Sequence, residues 1–276
     1  MNIIHGDCLE ELKRLDDNSV DAVVCDPPYG LSNTKPQQVA DVLKAWVTGD
    51  TMSVPAKRGG FMGKDWDSFV PPPAVWEECM RVLKPGGHMA VFAGARTQDL
   101  MGLSIRLAGF EIRDSLSWIT GSGFPKGQDI GKRIDKMKGA KREVVGRSPY
   151  ADRRPNAMAG SVYEMNAQGY DVSADLDVTA PATDEARRWD GWNTQLKPAQ
   201  EPIILARKPL DGTVASNVLA HGVGGLNIDA CRVETGDTLS IGSGKPAFAS
   251  DFSGSNPGTQ NPAGRFPANE IGRAHV

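Results

Sequence analysis

A mostly apolar run near the start of the chain leads directly into a short acidic segment that two prolines make rigid. This segment, Asp26 to Gly30, is called the acidic corner. Residues Val20 to Cys25 are mostly apolar, and the sequence Asp-Pro-Pro-Tyr-Gly (Asp26 to Gly30) follows them directly. A short apolar run bounded by turn residues is typical of a buried strand. Each proline fixes its own φ, and the second also keeps the first out of the helical region. The acidic and tyrosine side chains are therefore predicted to stand with little freedom at the end of a strand.

Short apolar strands alternate with amphipathic helices along much of the chain. This alternation predicts an α/β fold with a doubly wound sheet. The predicted strands are Asn2 to His5, Asp21 to Cys25, His88 to Ala93, Glu111 to Ile119 and Pro202 to Arg207. The predicted helices are Cys8 to Leu15, Pro72 to Leu83, and a segment that runs from a cap at Thr97 to near Gly109. Leu31 to Pro71, which contains "GFMGKDWDSF", has weak periodicity and is interpreted as a functional loop.

The composition excludes several classes of protein. The 276 residues are 39% hydrophobic and 24% charged with a net charge of -3, which is ordinary for a globular protein. The four cysteines form no Cys-x-x-Cys pair and no cluster with the four histidines, so neither a disulfide framework nor a metal site is predicted. No apolar run is long enough to span a bilayer and no basic-then-apolar leader is found, so the chain is expected to be cytoplasmic.

The chain is predicted to divide into a core, an insertion and a tail. The core comprises residues 1–119 and 198–210, the irregular insertion residues 120–197, and the irregular tail residues 211–276. The first part of the insertion is basic, because Gly121 to Gly160 contain ten Lys and Arg residues against four acids. A stretch with this charge is a candidate phosphate-facing surface.

The acidic corner suits one demanding kind of chemistry. The exocyclic amine of a nucleobase is a poor nucleophile because its lone pair is delocalised into the ring. If the Asp26 carboxylate and the Pro27 carbonyl accepted its two N–H groups, the lone pair would point towards an electrophilic methyl group while Tyr29 stacked on the base. The base must first be flipped out of its duplex. From these residues alone, a simple turn is an equally good explanation.

Longer stretches around the corner resemble a known family. "HGDCLEELKRLDDNSVDAVVCDPPYG" is similar to the amino-terminal part of DNA amino-methyltransferases of the β-type permutation. The similarity continues through "GKDWDSFVP", "VLKPGGHMAVFAGARTQDLMGLSIRLAGFEIRDSLSWITGSGFPKG" and "LKPAQEPIILARKPL", in an order similar to phage and bacterial adenine-specific enzymes. The resemblance covers most of Met1 to Asn269. It implies a Rossmann-like methyltransferase sheet and methylation of adenine N6 in double-stranded DNA, with S-adenosylmethionine as cofactor and base flipping.

The resemblance also implies roles for matching residues. The residues that match the family's catalytic motif are Asp26, Pro27, Pro28 and Tyr29. The residues that would bind S-adenosylmethionine are Asp7, Cys8 and Asp26. Asp rather than Ser at the first catalytic position favours adenine N6 over cytosine N4. From sequence alone, Asp7 is explained equally well as a helix cap. Because direct methyl transfer needs no covalent intermediate, Cys25 is expected to be a core residue rather than a nucleophile.

The same resemblance places target-recognition elements in the insertion. The basic residues that would contact DNA are Lys126, Lys132, Arg133, Lys136, Lys138, Lys141 and Arg142. Phosphate contacts of this kind give salt-sensitive affinity, and a solvated face is the alternative. The expected partner is double-stranded DNA and no membrane, while a homodimer and a cognate restriction enzyme are left open. Trp118 and Phe124 are expected in the core, with a pocket wall as the alternative, and Glu201 at an ordinary strand edge.

One part of the family's pattern is absent from this sequence. Its glycine-rich cofactor loop and preceding His-Pro-Thr-x-Lys-Pro element are not found, and "DFSGSNPG" (Asp251 to Gly258) lacks the flanking strand and helix that such a loop requires. We therefore expect that the native sequence is truncated near Asn269. The family's sheet has the strand order 3-2-1-4-5-7-6, and its two central strands are expected to be missing. The fragment alone is expected to bind the cofactor weakly and to be inactive. The alternatives are a cytosine-N4 methyltransferase, an enzyme that methylates RNA or a protein glutamine, and a catalytically silent DNA-binding fragment.

Overall fold

The chain folds into two compact units. The computed structural model describes residues 3–32, 34–55, 65–120, 127–147, 177–196, 199–232 and 270–272. The first unit comprises Met1–Gly121 together with Ala199–Val276, and the second comprises Ser122–Pro198. The acidic corner belongs to the first unit, whereas the basic residues predicted to contact DNA belong to the second.

An open five-stranded sheet organises the first unit. Its strands are β1 (Val20–Cys25), β2 (Leu83–Phe92), β3 (Glu111–Ile119), β6 (Gln200–Arg207) and β7 (Glu270–Gly272). The strand order is β1-β2-β6-β3-β7. Strands β1 and β2 are parallel, β6 is antiparallel to both β2 and β3, and β7 is parallel to β3. The strand β1 is therefore at one edge of the described sheet.

Several helices of the first unit pack apolar side chains against the sheet in one hydrophobic core. The α-helices described in the first unit are α1 (Cys8–Leu12), α2 (Pro36–Val47), α3 (Pro73–Val82), α4 (Gln98–Leu107) and α7 (Val214–His221). Helix α3 begins at a proline, whose fixed φ suits a first helical turn. Its Trp76 and Cys79 join Met89 and Val91 of β2 in one hydrophobic core. Because Met89 and Val91 are two positions apart, they point to the same face of the sheet.

The second unit is held by a buried charge. Its described helices and strands are α5 (Ile130–Met137), β4 (Glu143–Arg147), β5 (Asp177–Ala180) and α6 (Asp184–Arg188). Asp135 of α5 is fully buried, and its carboxylate accepts hydrogen bonds from Arg142, Ala182 and Thr183. Burial by itself would raise the pKa of Asp135, but these bonds outweigh it and the pKa is lowered. The network ties α5 to the chain around β4 and to the segment between β5 and α6.

The predicted α/β fold class is confirmed, with one strand corrected. The order β1-β2-β6-β3 is the 4-5-7-6 portion of the order that the resemblance implied. The sequence predicts a strand at Asn2 to His5. This prediction is wrong for Ile3 to His5, which are irregular, and the Ile3 residue is 83% exposed. No described strand lies beyond β1, so a strand formed by these residues would have no neighbour there to share its backbone hydrogen bonds.

Helix bounds also differ from the predictions. Helix α2 lies within the predicted loop Leu31 to Pro71, and its Val42 and Trp46, at helical spacing, are buried. Helix α7 lies in the predicted irregular tail, where the Thr213 hydroxyl caps it. Flanking Pro, Gly and Ser residues concealed both helices in the sequence. Burial of Val42 and Trp46 stabilises α2, whereas α7 is anchored by its buried Asn217, whose amide donates to the carbonyls of Pro85 and Val223. Helix α1 ends at Leu12 rather than Leu15. Among the described helices, none has the length and apolar character needed to cross a membrane.

Candidate active site

The acidic corner lies at the carboxyl edge of the sheet. Asp26 follows β1 directly, and the parallel strand β2 ends at the same edge. Strand β6 runs in the opposite direction and therefore begins there with Gln200 and Glu201. In open α/β sheets, ligands bind outside this edge. The fold thus brings the corner, the segment after β2 and the start of β6 to one place.

The Tyr29 phenol interacts with the Asp26 carboxylate. Tyr29 is half-buried, whereas Asp26 is exposed. Burial, the hydrogen bond with Asp26 and the negative charges of Asp26 and Glu201 raise the pKa of the Tyr29 phenol well above its usual range. The phenol therefore keeps its proton at neutral pH. Glu201, which the sequence interpretation treated as an ordinary edge residue, contributes to the electrostatics of the corner.

Two side chains from distant parts of the first unit anchor the backbone that follows Tyr29. The Thr97 hydroxyl donates to the carbonyl of Tyr29, with 2.6 Å between the oxygens. The Gly30 N–H donates to Oδ1 of Asp67 at 3.0 Å. Thr97 is the N-cap residue of α4, as predicted, but its hydroxyl makes no bond to that helix. Asp67 ends the short 3₁₀ turn Asp65–Asp67 and is only 6% exposed.

Asp7 and Cys8 are at the start of α1. Oδ1 of Asp7 accepts hydrogen bonds from the N–H groups of Leu9 at 3.0 Å and Glu10 at 3.4 Å, which confirms the helix-cap explanation. Burial and the charge of Asp7 raise the pKa of the Cys8 thiol. The part of both residues in cofactor binding stays a prediction. Within the described ranges, no three His, Cys, Asp or Glu side chains are grouped to hold a metal ion.

Cys25 has the environment of a core residue, as predicted. It packs against the hydrophobic core, and burial together with the charges of Cys8 and Asp26 raises its pKa to about 12. Only the thiolate form of a cysteine is a nucleophile. At neutral pH the Cys25 thiol therefore stays protonated and offers no thiolate beside the corner.

Trp118 lies at this same edge and is not a core residue. It is 42% exposed, and its ring contacts that of Phe92 with 6.5 Å between the centroids. Trp118 of β3 stands opposite Glu201 of β6, so both side chains point to the same face of the sheet. The expectation of a core position was therefore wrong for Trp118, and Phe124 lies outside the described residues.

The basic residues predicted to contact DNA fall into distinct groups. The guanidinium of Arg142 donates to Asp135 at 2.8 Å and to the hydroxyl and carbonyl of Thr179, so its position does not fit the predicted DNA contact. Lys138 forms an ion pair with Glu185. The residues that are exposed and form no ion pair within the described part of the chain are Lys132, Arg133, Lys136 and Lys141. Lys126 lies outside the described residues.

Proteins of similar sequence are DNA methyltransferases. Type II methyltransferase M.HindIII of Haemophilus influenzae is 25% identical over 246 residues, which cover 82% of this chain and 64% of that protein. DNA adenine methyltransferase YhdJ of Escherichia coli is 32% identical over 116 residues, which cover 42% of this chain and 32% of that protein. The chain therefore spans less than two thirds of the length of either relative.

Solved structures and a family profile complete the comparison. TTHA0409 of Thermus thermophilus is 15% identical with a TM-score of 0.33, covering 78% of this chain and 56% of that one. The cytosine-N4-specific PvuII DNA methyltransferase is 13% identical with a TM-score of 0.34, covering 78% of this chain and 52% of that one. Neither score is high enough to support an argument about function. The sequence profile of the DNA methylase family (N6_N4_Mtase) matches residues 20–210, more than half of the chain, and this chain therefore belongs to the DNA methylase family.

Proposed function

We propose that this chain carries the catalytic corner of an S-adenosylmethionine-dependent enzyme that methylates adenine N6 in double-stranded DNA. The observation that carries the proposal is the placement of Asp26 and Tyr29 together directly after β1, at the ligand-binding edge of the sheet. Membership of the DNA methylase family supports the reaction class. Adenine as the target is supported by the name of the relative YhdJ and by Asp rather than Ser at position 26.

The corner offers the acceptors that the reaction needs. An ionised carboxylate has about four lone-pair positions, so Asp26 can accept an N–H of the adenine amine while it keeps the bond from Tyr29. The Pro27 carbonyl would accept the second N–H. Together they would turn the nitrogen lone pair towards the methyl group, while the ring of Tyr29 stacks on a base that has been flipped out of the duplex. Asp26, Pro27, Pro28 and Tyr29 are thus the proposed catalytic residues.

The residues of this chain proposed to hold the cofactor are Asp7, Cys8 and Asp26. When bound, S-adenosylmethionine supplies the methyl group. These residues fit the cofactor in part. The Asp7 carboxylate is exposed, and only its Oδ1 accepts the helix-cap hydrogen bonds from Leu9 and Glu10. A carboxylate with a free oxygen can accept hydrogen bonds from sugar hydroxyl groups. Asp26 is also exposed, so its remaining lone pairs are accessible.

The proposed reaction predicts a specific mark in DNA. If the full-length gene that contains this sequence is expressed in a host without adenine methylation, we expect N6-methyladenine at a single sequence motif. Single-molecule sequencing of the host DNA reports the modified base and the motif together. N4-methylcytosine instead would establish the alternative base. Unmodified DNA alongside salt-dependent DNA binding by the purified chain would favour a catalytically silent DNA-binding protein.

We further propose that four exposed cations of the second unit contact the DNA backbone. These residues are Lys132, Arg133, Lys136 and Lys141, and the exposure of their side chains supports this role. Arg142 is a weaker candidate because its guanidinium is already bound to Asp135 and Thr179. Lys138 is a weaker candidate because Glu185 already neutralises it. Lys126 stays a prediction.

Removing these four cations is expected to weaken the salt dependence of DNA binding. Each phosphate contact changes the slope of log K against log salt by about 0.9, so the quadruple alanine variant should show a slope less steep by roughly 3.6. Fluorescence anisotropy with one duplex at several salt concentrations measures it. Lys13→Ala with Arg14→Ala is the matched control, since both cations are already paired with glutamates of α1. An unchanged slope in the quadruple variant would show that this surface is only solvated.

Two partners and the location follow from the same proposal. The description of M.HindIII as a type II methyltransferase supports a cognate restriction enzyme. A homodimer stays a prediction, and size-exclusion chromatography with light scattering measures it. A cytoplasmic location is proposed because cellular DNA is the substrate.

A further inference from the structure

Both polar atoms of a single peptide group are bonded to side chains beside the catalytic corner. The carbonyl of this group belongs to Tyr29 and accepts from the Thr97 hydroxyl, and its N–H belongs to Gly30 and donates to Asp67. We propose that Asp67 and Thr97 are positioning residues that hold the Tyr29 ring against Asp26 by fixing this peptide group. Neither residue has a role in the assignments made above. The consequence for catalysis rests on the proposed function, whereas the positioning itself does not.

The two bonds together fix the orientation of the peptide plane. Rotating it would require a change in ψ of Tyr29 and in φ of Gly30, and either change would break both hydrogen bonds. The bond to Asp67 involves a carboxylate that is only 6% exposed, and a charge-assisted bond in such a place is stronger than one in water. The bond from Thr97 is short, at 2.6 Å. The plane is therefore held from the 3₁₀ turn on one side and from the start of α4 on the other.

Two glycines let the backbone segments around the peptide group approach each other closely. Gly30 has φ +65°, in the left-handed region, and a Cβ there would lie 2.6 Å from the backbone nitrogen of Val70. A Cβ on Gly94 would lie 2.9 Å from the Thr97 hydroxyl and 3.4 Å from Cβ of Tyr29. The two glycines thus allow the backbone segments to approach closely enough for the side chains of Asp67 and Thr97 to reach the peptide group.

Fixing the peptide group determines where the tyrosine ring can go. The Tyr29 side chain is attached at Cα, which is bonded directly to the anchored carbonyl carbon. Because ψ is the rotation about this bond, a change in ψ of Tyr29 would move its ring relative to the peptide group. Displacements of about 1 Å in a catalytic group can lower rates by roughly 10²-fold. Loss of either positioning bond is therefore expected to lower kcat for methyl transfer by about this factor, with little change in KM for DNA.

Ionisation of Tyr29 gives a test that needs no methyl transfer. Its phenol stays protonated because of burial and the hydrogen bond with Asp26, so its ionisation reports whether the ring is in place. We would label the four tyrosines with ¹³C at Cζ and assign the Tyr29 signal with Tyr29→Phe. At pH 11 an ordinary tyrosine is about nine-tenths ionised. In the parent protein Tyr29 should remain largely protonated, whereas in Thr97→Val and in Asp67→Ala it should ionise like an ordinary tyrosine.

Conservative variants separate positioning from loss of packing. Thr97→Ser keeps the hydroxyl and Asp67→Asn keeps the acceptor oxygen, so both should retain the parent titration. Thr48→Val is the matched control, because the Thr48 hydroxyl also donates to backbone carbonyls, those of Lys44 and Ala45 in α2. Circular dichroism at the same pH establishes that each variant is folded. If Asp67→Ala unfolds, Thr97→Val tests the same peptide group from its other side.

The outcomes distinguish the positioning role from the proposed reaction. An unchanged Tyr29 titration in folded Thr97→Val would overturn the positioning role, whatever the enzymatic activity. A shifted Tyr29 titration in a protein that methylates no DNA would support the positioning role and contradict the proposed function. If Thr97→Val shifts the Tyr29 titration and lowers kcat, and Thr97→Ser restores both, the results would support the positioning role and the proposed reaction together.

Discussion

Asp26→Ala is expected to lower the rate of methyl transfer to adenine by about 10²- to 10³-fold, the usual effect of removing one preorganised group that stabilises a transition state. The carboxylate is the only charged acceptor in the corner sequence, and alanine offers no acceptor in its place. The affinity for DNA should change little because phosphate contacts supply most of it. Transfer of a labelled methyl group from S-adenosylmethionine to a duplex under single-turnover conditions measures the chemical step.

The control for Asp26→Ala is the substitution of a carboxylate that lies before the same strand. Asp16→Ala removes an exposed acid in the connection between α1 and β1 and should leave the rate unchanged. Tyr29 provides an internal check, since its hydrogen bond with Asp26 is lost and its raised pKa should fall towards the ordinary value. Full turnover by folded Asp26→Ala would disprove the proposed role of the corner.

Arg142→Ala is expected to destabilise the second unit strongly, by roughly 10 °C or more in its melting temperature. The substitution leaves Asp135 fully buried without its cationic partner, and it also removes two bonds to Thr179. Breaking a buried pair by removing one member is costly because the remaining charge has lost its compensation. Thermal unfolding followed by circular dichroism and by the fluorescence of Trp189 and Trp192 measures the effect on this unit.

Two comparisons make the Arg142 prediction specific. Lys136→Ala, also in the second unit but exposed, should leave the melting temperature nearly unchanged. The difference in melting temperature between Arg142→Ala and the parent protein should also become smaller in acid. Because the pKa of Asp135 is lowered by folding, its charge contributes fully above the ordinary value of about 3.9, and this contribution is lost as the pH falls through the lowered value. Equal stability of Arg142→Ala and the parent at neutral pH would show that the network does not support the unit.

The parts of this protein that the sequence predicted are those with local causes. The run Val20 to Cys25 is a strand because six residues of suitable propensity end at two prolines, and the bounds of Glu111 to Ile119 follow from a similar local pattern. The position of Asp26 at a ligand-binding edge follows once that strand is parallel to its neighbour. Family membership could also be inferred, since the motifs that carry it are continuous in the chain.

Helix α2 shows a local signal that the interpretation missed. Its apolar residues recur at helical spacing, but the surrounding loop residues outweighed them in the sequence interpretation. Asn2 to His5 shows the opposite case, in which local strand propensity was insufficient. A strand needs a neighbour to satisfy its backbone groups, and none is described beyond β1. Burial and pairing therefore decided both elements.

The amino-acid sequence is sufficient to identify the acidic corner, the strand that carries it and the family to which the chain belongs. The three-dimensional fold is needed to show which side chains bind that corner and which of the basic residues have partners elsewhere. Thr97 has the sequence of a helix cap and Arg142 that of a DNA contact, yet the first binds Tyr29 and the second binds Asp135. The reason is physical: a hydrogen bond goes to the partner that the fold brings within reach, and the partners of Gly30 and Tyr29 lie 37 and 68 residues away along the chain.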